Sequence, residues 1–128
     1  MKEAKITVLM VEPGKHPRET ALDNNLDALQ KAVSIGAESQ GLIEIVDVEQ
    51  GVCILCNEEA KLIGLEGNRR FGDDILTGVF YVTGSTEDRE LATLPPEAME
   101  KYRKRFWEPE TYTAEDVENA LTVCFYVL

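Results

Sequence analysis

The amino-acid sequence predicts an α+β fold, a single domain over residues 1–128 in which a mixed or mostly antiparallel sheet carries two or three packed helices. Two observations lead there. β-prone apolar runs cluster along the chain without regular strand-helix alternation, which disfavours a doubly wound fold, and apolar residues at helical spacing are confined to three segments. With 44% hydrophobic residues in 128, the chain is long enough to bury one core.

The elements follow in order. Ile6-Thr7-Val8-Leu9-Met10-Val11 is continuously apolar rather than alternating, which predicts a central strand covered on both faces, ended by the turn Glu12-Pro13-Gly14. Arg18 to Leu22 reads as a short edge strand. Asn24 or Asn25 then caps a helix with Leu26, Leu29 and Val33 at spacings of three and four, which ends by Gly36. The strongest hairpin signal joins Leu42–Val48 to Val52–Leu55 through Glu49-Gln50-Gly51. Asn57 to Leu62 leaves that hairpin as a polar turn, and Gly64, Gly67 and Gly72 predict an irregular stretch to Asp74. Ile75 to Val82 reads as one strand bounded by Thr83-Gly84-Ser85. Leu91 to Leu94 is a short strand before Pro95-Pro96, and proline suits the first turn of a helix carrying Ala98, Met99, Tyr102 and Phe106. Thr113-Ala114-Glu115-Asp116 resembles a capping box that opens a last helix, whose apolar face would hold Val117, Ala120, Leu121, Cys124, Phe125 and Leu128. Val123 to Leu128 is β-prone enough to leave a terminal strand as the alternative.

Charge narrows the function. Thirteen Lys and Arg against 24 Asp and Glu give −11, which argues against a general grip on nucleic acid and against docking on anionic membranes. The excess is uneven. Glu38, Glu44, Asp47 and Glu49 occupy one span without Lys or Arg, and Glu108, Glu110, Glu115, Asp116 and Glu118 occupy another. Such surfaces attract basic proteins and can mimic DNA phosphates, although a solubilising surface is the ordinary use of them. The one basic patch, Lys101-Tyr102-Arg103-Lys104-Arg105-Phe106-Trp107, reads as an exposed helix face. Glu97 and Glu100 stand four residues ahead of Lys101 and Lys104, and a secondary use is docking on an acidic surface.

No run approaches the ~18 apolar residues of a membrane span, and the N-terminus lacks a signal-peptide cleavage site. Three cysteines are too few for a disulfide scaffold, so the expected location is the cytoplasm. Cys53-Ile54-Leu55-Cys56 spells a metal or redox spacing, but on a strand cysteines three apart face opposite sides of a sheet. No further ligand pair accompanies them, so neither a metal nor a cofactor is expected, and both are read as core residues. His16 stands alone in a turn-like segment and reads as solvated.

The densest polar cluster is Asn57-Glu58-Glu59 with Lys61, followed by Asn68-Arg69-Arg70. It leaves a core strand through a glycine-rich loop, where binding groups commonly stand. Adjacent carboxylates serve as an acid and base or hold a hard cation, and Arg69 suits bidentate capture of a carboxylate or phosphate. The plainer reading has Asn57 capping a turn, the glutamates solvated and Arg69 paired with one of them.

Val8 to Gly14, the Leu29-Gln30 helix, Ile43-Glu44-Ile45, Cys56-Asn57-Glu58-Glu59-Ala60-Lys61-Leu62, Asn68-Arg69, Ile75-Leu76-Thr77-Gly78 and the Tyr102 to Phe106 helix occur in that order. Together they resemble an uncharacterised domain family of phages, conjugative elements and bacterial genomes, mainly Firmicutes. The resemblance covers about residues 5–107, and residues 108–128 are an extension outside it. It implies a mobile-element accessory protein and suggests the Asn57-Glu58-Glu59 turn with Asn68 and Arg69 as the family's site; with Lys61 from the same polar cluster these are the candidate binding residues. Ala60 departs from the pattern, which has glycine there; a left-handed residue at that point would make the turn here differ.

Three functions follow as expectations. The favoured one is a non-catalytic cytosolic binding protein of a phage or mobile element whose partner is another protein, met through residues 57–70 or an acidic face. The second is an acidic DNA mimic that inhibits a host nucleic-acid-binding or restriction protein. The third is a small enzyme with Glu58 or Glu59 as base and Arg69 as anion clamp, which requires those groups and Asn57 to line one pocket.

Overall fold

The computed structural model describes residues 3–127, with side chains as far as residue 120. Leu121, Cys124, Phe125 and Leu128, expected on the last helix's apolar face, therefore lie outside the described side chains. The chain runs β1 (Lys5–Val11), β2 (Arg18–Asp23), α1 (Leu26–Val33), β3 (Ile43–Glu49), β4 (Val52–Asn57), β5 (Gly67–Phe71), β6 (Asp74–Thr77), β7 (Phe80–Ser85), β8 (Leu91–Ala92), α2 (Pro96–Arg105) and α3 (Ala114–Val127). This is an α+β architecture. The main sheet has the order β2-β1-β7-β4-β3, all neighbours antiparallel, with β8 added to β7, and β5 and β6 form a separate hairpin.

The sheet is buried on both faces because its central strands alternate two apolar sets. Ile6, Val8, Met10, Leu55 and Tyr81 pack under Leu29, Ala32 and Val33 of α1. Leu9, Val11, Ile54, Phe80 and Val82 pack on the other side beneath Met99 and Tyr102 of α2 and its C-cap residue Phe106, with Phe71 and Leu76 of the small hairpin beside them. The two cysteines separate as strand alternation requires: Cys53 belongs to the α1 face and Cys56 to the α2 face.

Local signals account for several boundaries. Asn25 caps α1, its Oδ1 accepting the Ala28 N–H at 2.9 Å, while Asn24 is buried and donates to the carbonyls of Glu3 and Leu91. The Thr113 Oγ1 accepts the Asp116 N–H at 3.0 Å and the Asp116 carboxylate accepts the Thr113 N–H at 2.9 Å, a reciprocal cap at the start of α3. That segment is helical through Val127 rather than ending in a strand.

Two expectations change. The stretch after Gly64 is not irregular throughout: Gly67–Phe71 is a strand paired with Asp74–Thr77. The single strand expected over Ile75 to Val82 is two strands in different sheets, broken at Gly78. Gly78 has φ +70, and a Cβ there would lie 2.8 Å from Leu65 Cδ1, so a side chain would strain the backbone and require Leu65 to move.

The cations of α2 reach both edges of the sheet. Lys101 meets Glu49 of β3 at 2.7 Å, and Arg103 meets Glu19 of β2 at 3.1 Å and Glu100 at 3.4 Å. The Glu100 to Lys104 spacing is used, at 3.6 Å. These pairs are largely exposed and contribute little each. They do place α2's positive face on the protein's own acidic edges. No helix among the described residues is long and apolar enough to cross a membrane.

Candidate functional site

Asn57 ends β4 and is buried. Its Oδ1 accepts the Glu59 N–H at 2.8 Å, its Nδ2 donates to the Val33 carbonyl at 3.4 Å, and its own carbonyl accepts the Ala60 N–H at 3.2 Å. Asparagine thereby does what an N-cap does, turning the chain out of the strand into a tight turn with helical hydrogen bonding. The Ile63 N–H bonds the Glu59 carbonyl at 3.0 Å. At the far end the Leu65 N–H reaches the Ala60 carbonyl at 3.0 Å and the Gly64 N–H reaches that of Lys61 at 3.2 Å, with Gly64 at φ +75. This is the glycine-terminated pattern that closes helices. Ala60 is buried, and Arg89 alone among the described non-glycine residues has positive φ, so the turn needs no left-handed residue at 60.

The result is a ridge held at both ends, by Asn57 in the core and by Leu65 against Gly78. On its crest Glu58 and Glu59 are exposed, and so are Leu62 at 80% and Ile63 at 48%. Lys61 is half-buried and ion-paired with Asp74. Grooves flank the ridge. One, of about 320 Å³, lies between Glu58, Leu62 and β6; the other, of about 440 Å³, lies between Glu59, Ile63 and the Gly36–Gly41 loop.

Asn68 and Arg69 have a different fate, since both are 0% exposed. Asn68 Nδ2 donates to the carbonyls of Val11 at 3.0 Å and Gly78 at 2.8 Å, and its Oδ1 accepts from Arg69 Nη1 at 2.6 Å. Arg69 Nε donates to the Phe106 carbonyl at 3.0 Å, Nη2 to the Lys15 carbonyl at 2.6 Å, and Nη1 also to the Asn68 carbonyl at 3.3 Å. The guanidinium fork therefore ties the β1–β2 loop and the end of α2 to the small hairpin, and it makes no ion pair with a glutamate of the ridge. Burial lowers its pKa, opposed by the charge of Glu110. His16 strengthens the same junction. Its ring stacks on Trp107 with centroids 4.1 Å apart, and its Nδ1 stands 2.6 Å from the Trp107 carbonyl. A carbonyl only accepts, so Nδ1 carries the proton.

The six candidate residues thus divide. Asn57, Glu58 and Lys61 share the smaller groove, Glu59 lines the groove opposite, and Asn68 and Arg69 are fixed inside the fold. Glu58, Glu59 and Arg69 do not converge on one point. Cys56 borders the smaller groove, but burial and then the Glu44 carboxylate push its thiol up to about 12, leaving it protonated and unreactive near neutrality. Burial likewise raises Cys53, offset by its hydrogen bond with Thr83. No group of three or more His, Cys, Asp or Glu among the described residues is placed to hold a metal ion. A larger groove of about 500 Å³ lies on the α1 face, between Asp47, Cys53 and the Ser85–Arg89 loop, and contains none of the six. Sequence reasoning missed the exposed apolar crest; the signal was Leu62-Ile63, two apolar residues directly before a helix-ending glycine.

Fold and site together define a small α+β protein with an antiparallel sheet covered on both faces and a capped turn presented at its end. Residues 6–107 match the family described as Domain of unknown function (DUF3846), and the chain belongs to that family. The extension that carries α3 lies outside the match. No curated protein and no solved structure matches the chain.

Proposed function

We propose that this is a non-catalytic accessory protein of a phage or mobile genetic element, acting in the cytoplasm by binding another protein on the 58–63 ridge. The resemblance of its motifs to those of mobile-element proteins supports the setting. One observation carries the mode of action: Leu62 and Ile63 stand in solvent, 80% and 48% exposed, on a turn whose two ends are fixed. A folded chain gains nothing from apolar groups so placed, whereas a partner that covers them does.

The other two readings have less support. From the two acidic spans, Glu49 is held by Lys101 and Tyr102, Glu110 by the Arg70 N–H and Tyr112, and Asp116 by the helix cap. Those carboxylates are engaged inside the protein rather than free to imitate phosphates. Arg69 faces carbonyl groups instead of a cavity, which leaves an enzyme reading without its anion clamp.

The test is affinity capture from cells that carry the element, comparing the native chain with the Leu62→Asp, Ile63→Asp double variant. Both forms should melt within a few degrees of each other, because the replaced side chains are exposed. A partner retained by the native chain should be lost from the variant. Equal recovery by both would overturn the proposal.

A further inference from the structure

We infer that the outer edge of β3 is a docking strand, and that its occupant is an extended basic segment of the partner protein, added to the sheet as one more strand. The inference gives the ridge's partner a second contact, and it rests on that reading. β3 is the last strand on its side of the main sheet. Two bonds fix which way its backbone faces. The Glu58 N–H meets the Leu42 carbonyl at 3.0 Å, so in the β3–β4 register Leu42, Glu44 and Val46 turn their N–H and C=O groups toward β4. The Ser85 N–H meets the Gly51 carbonyl at 2.9 Å, so Gly51, Cys53 and Leu55 bond toward β7, which leaves Ile54 and Cys56 for β3 in the same phase. Ile43, Ile45 and Asp47 therefore direct their N–H and C=O groups outward, and no hydrogen bond closes those groups among the described residues.

Every open sheet has edges, and the side chains say what this one takes. At the opposite edge β2 neutralises its own charges, with Arg18 paired to Glu12, Glu19 to Arg103 and Asp23 to Lys5, and it exposes no large apolar residue. β3 differs on both counts. Glu44 and Asp47 have no cationic partner among the described residues, and Ile45 is 48% exposed. Alternation sets Ile45 and Asp47 on the α1 face, opposite Leu55 and Cys53, and Glu44 on the α2 face, opposite Cys56. An added strand covers Ile45 with an apolar side chain and sets basic ones beside Glu44 and Asp47, the pairing that opposite charges favour across strands. A second copy is unsuited, because two β3 strands would bring Glu44 and Asp47 together from both chains with no Lys or Arg between them. The edge is continuous with the ridge: Ile43 pairs with Asn57, the ridge's cap, and the exposed Leu42 bonds Glu58. Ile45 and Asp47 also wall the groove of about 500 Å³, which gives room to a long side chain on the α1 face of the added strand.

The test is amide hydrogen exchange on the full chain, read residue by residue, with a short capped peptide of alternating valine and lysine. The analogue with glutamate for every lysine is run beside it. In the free protein the Ile43, Ile45 and Asp47 amides should exchange faster than those of Glu44 and Val46, and saturating lysine peptide should slow them roughly tenfold or more. The glutamate analogue should leave them unchanged. The Glu44→Gln, Asp47→Asn double variant should bind the lysine peptide about tenfold more weakly. Ile45→Pro removes an outward N–H and no bond to β4, so it should keep the fold and lose the peptide. The exchange pattern of the native chain decides the question without that variant.

Unslowed exchange at those three amides, equal binding of the glutamate analogue, or indifference to the Glu44 and Asp47 substitutions would overturn the inference. So would protection of the same amides that grows with protein concentration and needs no peptide, since it would put a second copy on the edge. The ridge reading fails by a different result, equal capture of the partner by the native chain and the Leu62, Ile63 variant, in which no peptide is used.

Discussion

Asn57-Glu58-Glu59 and Asn68-Arg69-Arg70 are alike as sequence: each opens on asparagine and continues in charge within a glycine-rich region. In the folded chain they are opposites. After Asn57 the chain turns away from the sheet, so the charges that follow reach water, and the asparagine alone stays inside as a cap. After Asn68 the chain continues as β5, and Arg69 points inward, where carbonyl groups from three segments surround its guanidinium. The difference lies in what the backbone does next. A polar residue is presented where its segment leaves the regular structure, and it becomes part of the framework where its segment stays in it.

The sharpest way to break this contrast is at Arg69. Arg69→Ala removes the donor from the carbonyls of Lys15, Phe106 and Asn68 and leaves a void, so it should destabilise the fold by about 3–5 kcal/mol. Arg69→Lys cannot reproduce a fork over three segments and should recover only part of that loss. Urea denaturation, read as a shift of midpoint at constant slope, measures both. A change of Arg69→Ala no larger than that of an exposed glutamate would erase the distinction between framework and surface.

Asn57 should behave as framework on a smaller scale. Asn57→Ala frees the Glu59 N–H and the Val33 carbonyl and should cost about 1–2 kcal/mol. Asn57→Asp keeps the capping oxygen and should retain most of the stability. Thermal melting of the pair separates the cap from the mere presence of a polar group. Equal losses in both would place the role of Asn57 in its Nδ2 contact instead.

Much of the fold was legible because its signals are local. The β-branched run Ile6 to Val11, the hairpin around Gln50-Gly51, the cap at Asn25 and the Thr113 to Asp116 box each depend on residues within a few positions. Strand alternation likewise placed Cys53 and Cys56 on opposite faces. β5 was not legible, because Gly64, Gly67 and Gly72 read as an irregular stretch and Arg69 read as the partner of a glutamate or of a bound anion. The carbonyls that make burial of Arg69 tolerable come from positions 54 and 37 residues away in the chain. The break at Gly78 depends on Leu65, a contact that no pattern within Ile75 to Val82 contains. Of the site, the turn and its asparagine cap could be read. The exposure of Leu62 and Ile63 was missed, although the glycine that closes the turn stands directly after them, because apolar residues default to the core.

Alkaline pH probes the buried side of the boundary. Cys56, one residue before the cap, has its thiol raised from 9.0 to about 12, chiefly by burial. Burial likewise raises Tyr81 and Tyr102 from 10.0 to about 12, with the Glu49 carboxylate assisting at Tyr102. In the unfolded chain these groups ionise from their ordinary values upward, while in the fold they keep their protons longer. The unfolded state thus binds fewer protons over this range, and stability must fall as pH rises from about 9 to 12. Denaturation midpoints measured from pH 8 upward should decline along that interval, and Cys56→Ala should flatten the earliest part of the decline. A flat profile to pH 11 would contradict the burial that sets the two regions apart.

The smallest expected effect on stability is at the crest itself, and it sharpens the comparison most. Glu58→Gln and Glu59→Gln remove charge from exposed positions that make no ion pair among the described residues, so each should change stability by less than about 0.5 kcal/mol. Their effect on binding should differ, because the two side chains line different grooves. Glu58 borders the groove beside β6, where Glu44 and Asp74 add further carboxylates, and its neutralisation should weaken capture of a basic partner and reduce the salt dependence of that capture. Glu59 borders the Gly36–Gly41 loop, and its neutralisation should do so much less. Affinity measured for both variants at low and at physiological salt reads this directly. Equal effects from the two would mean that the ridge acts through its total charge, with no distinction between its sides.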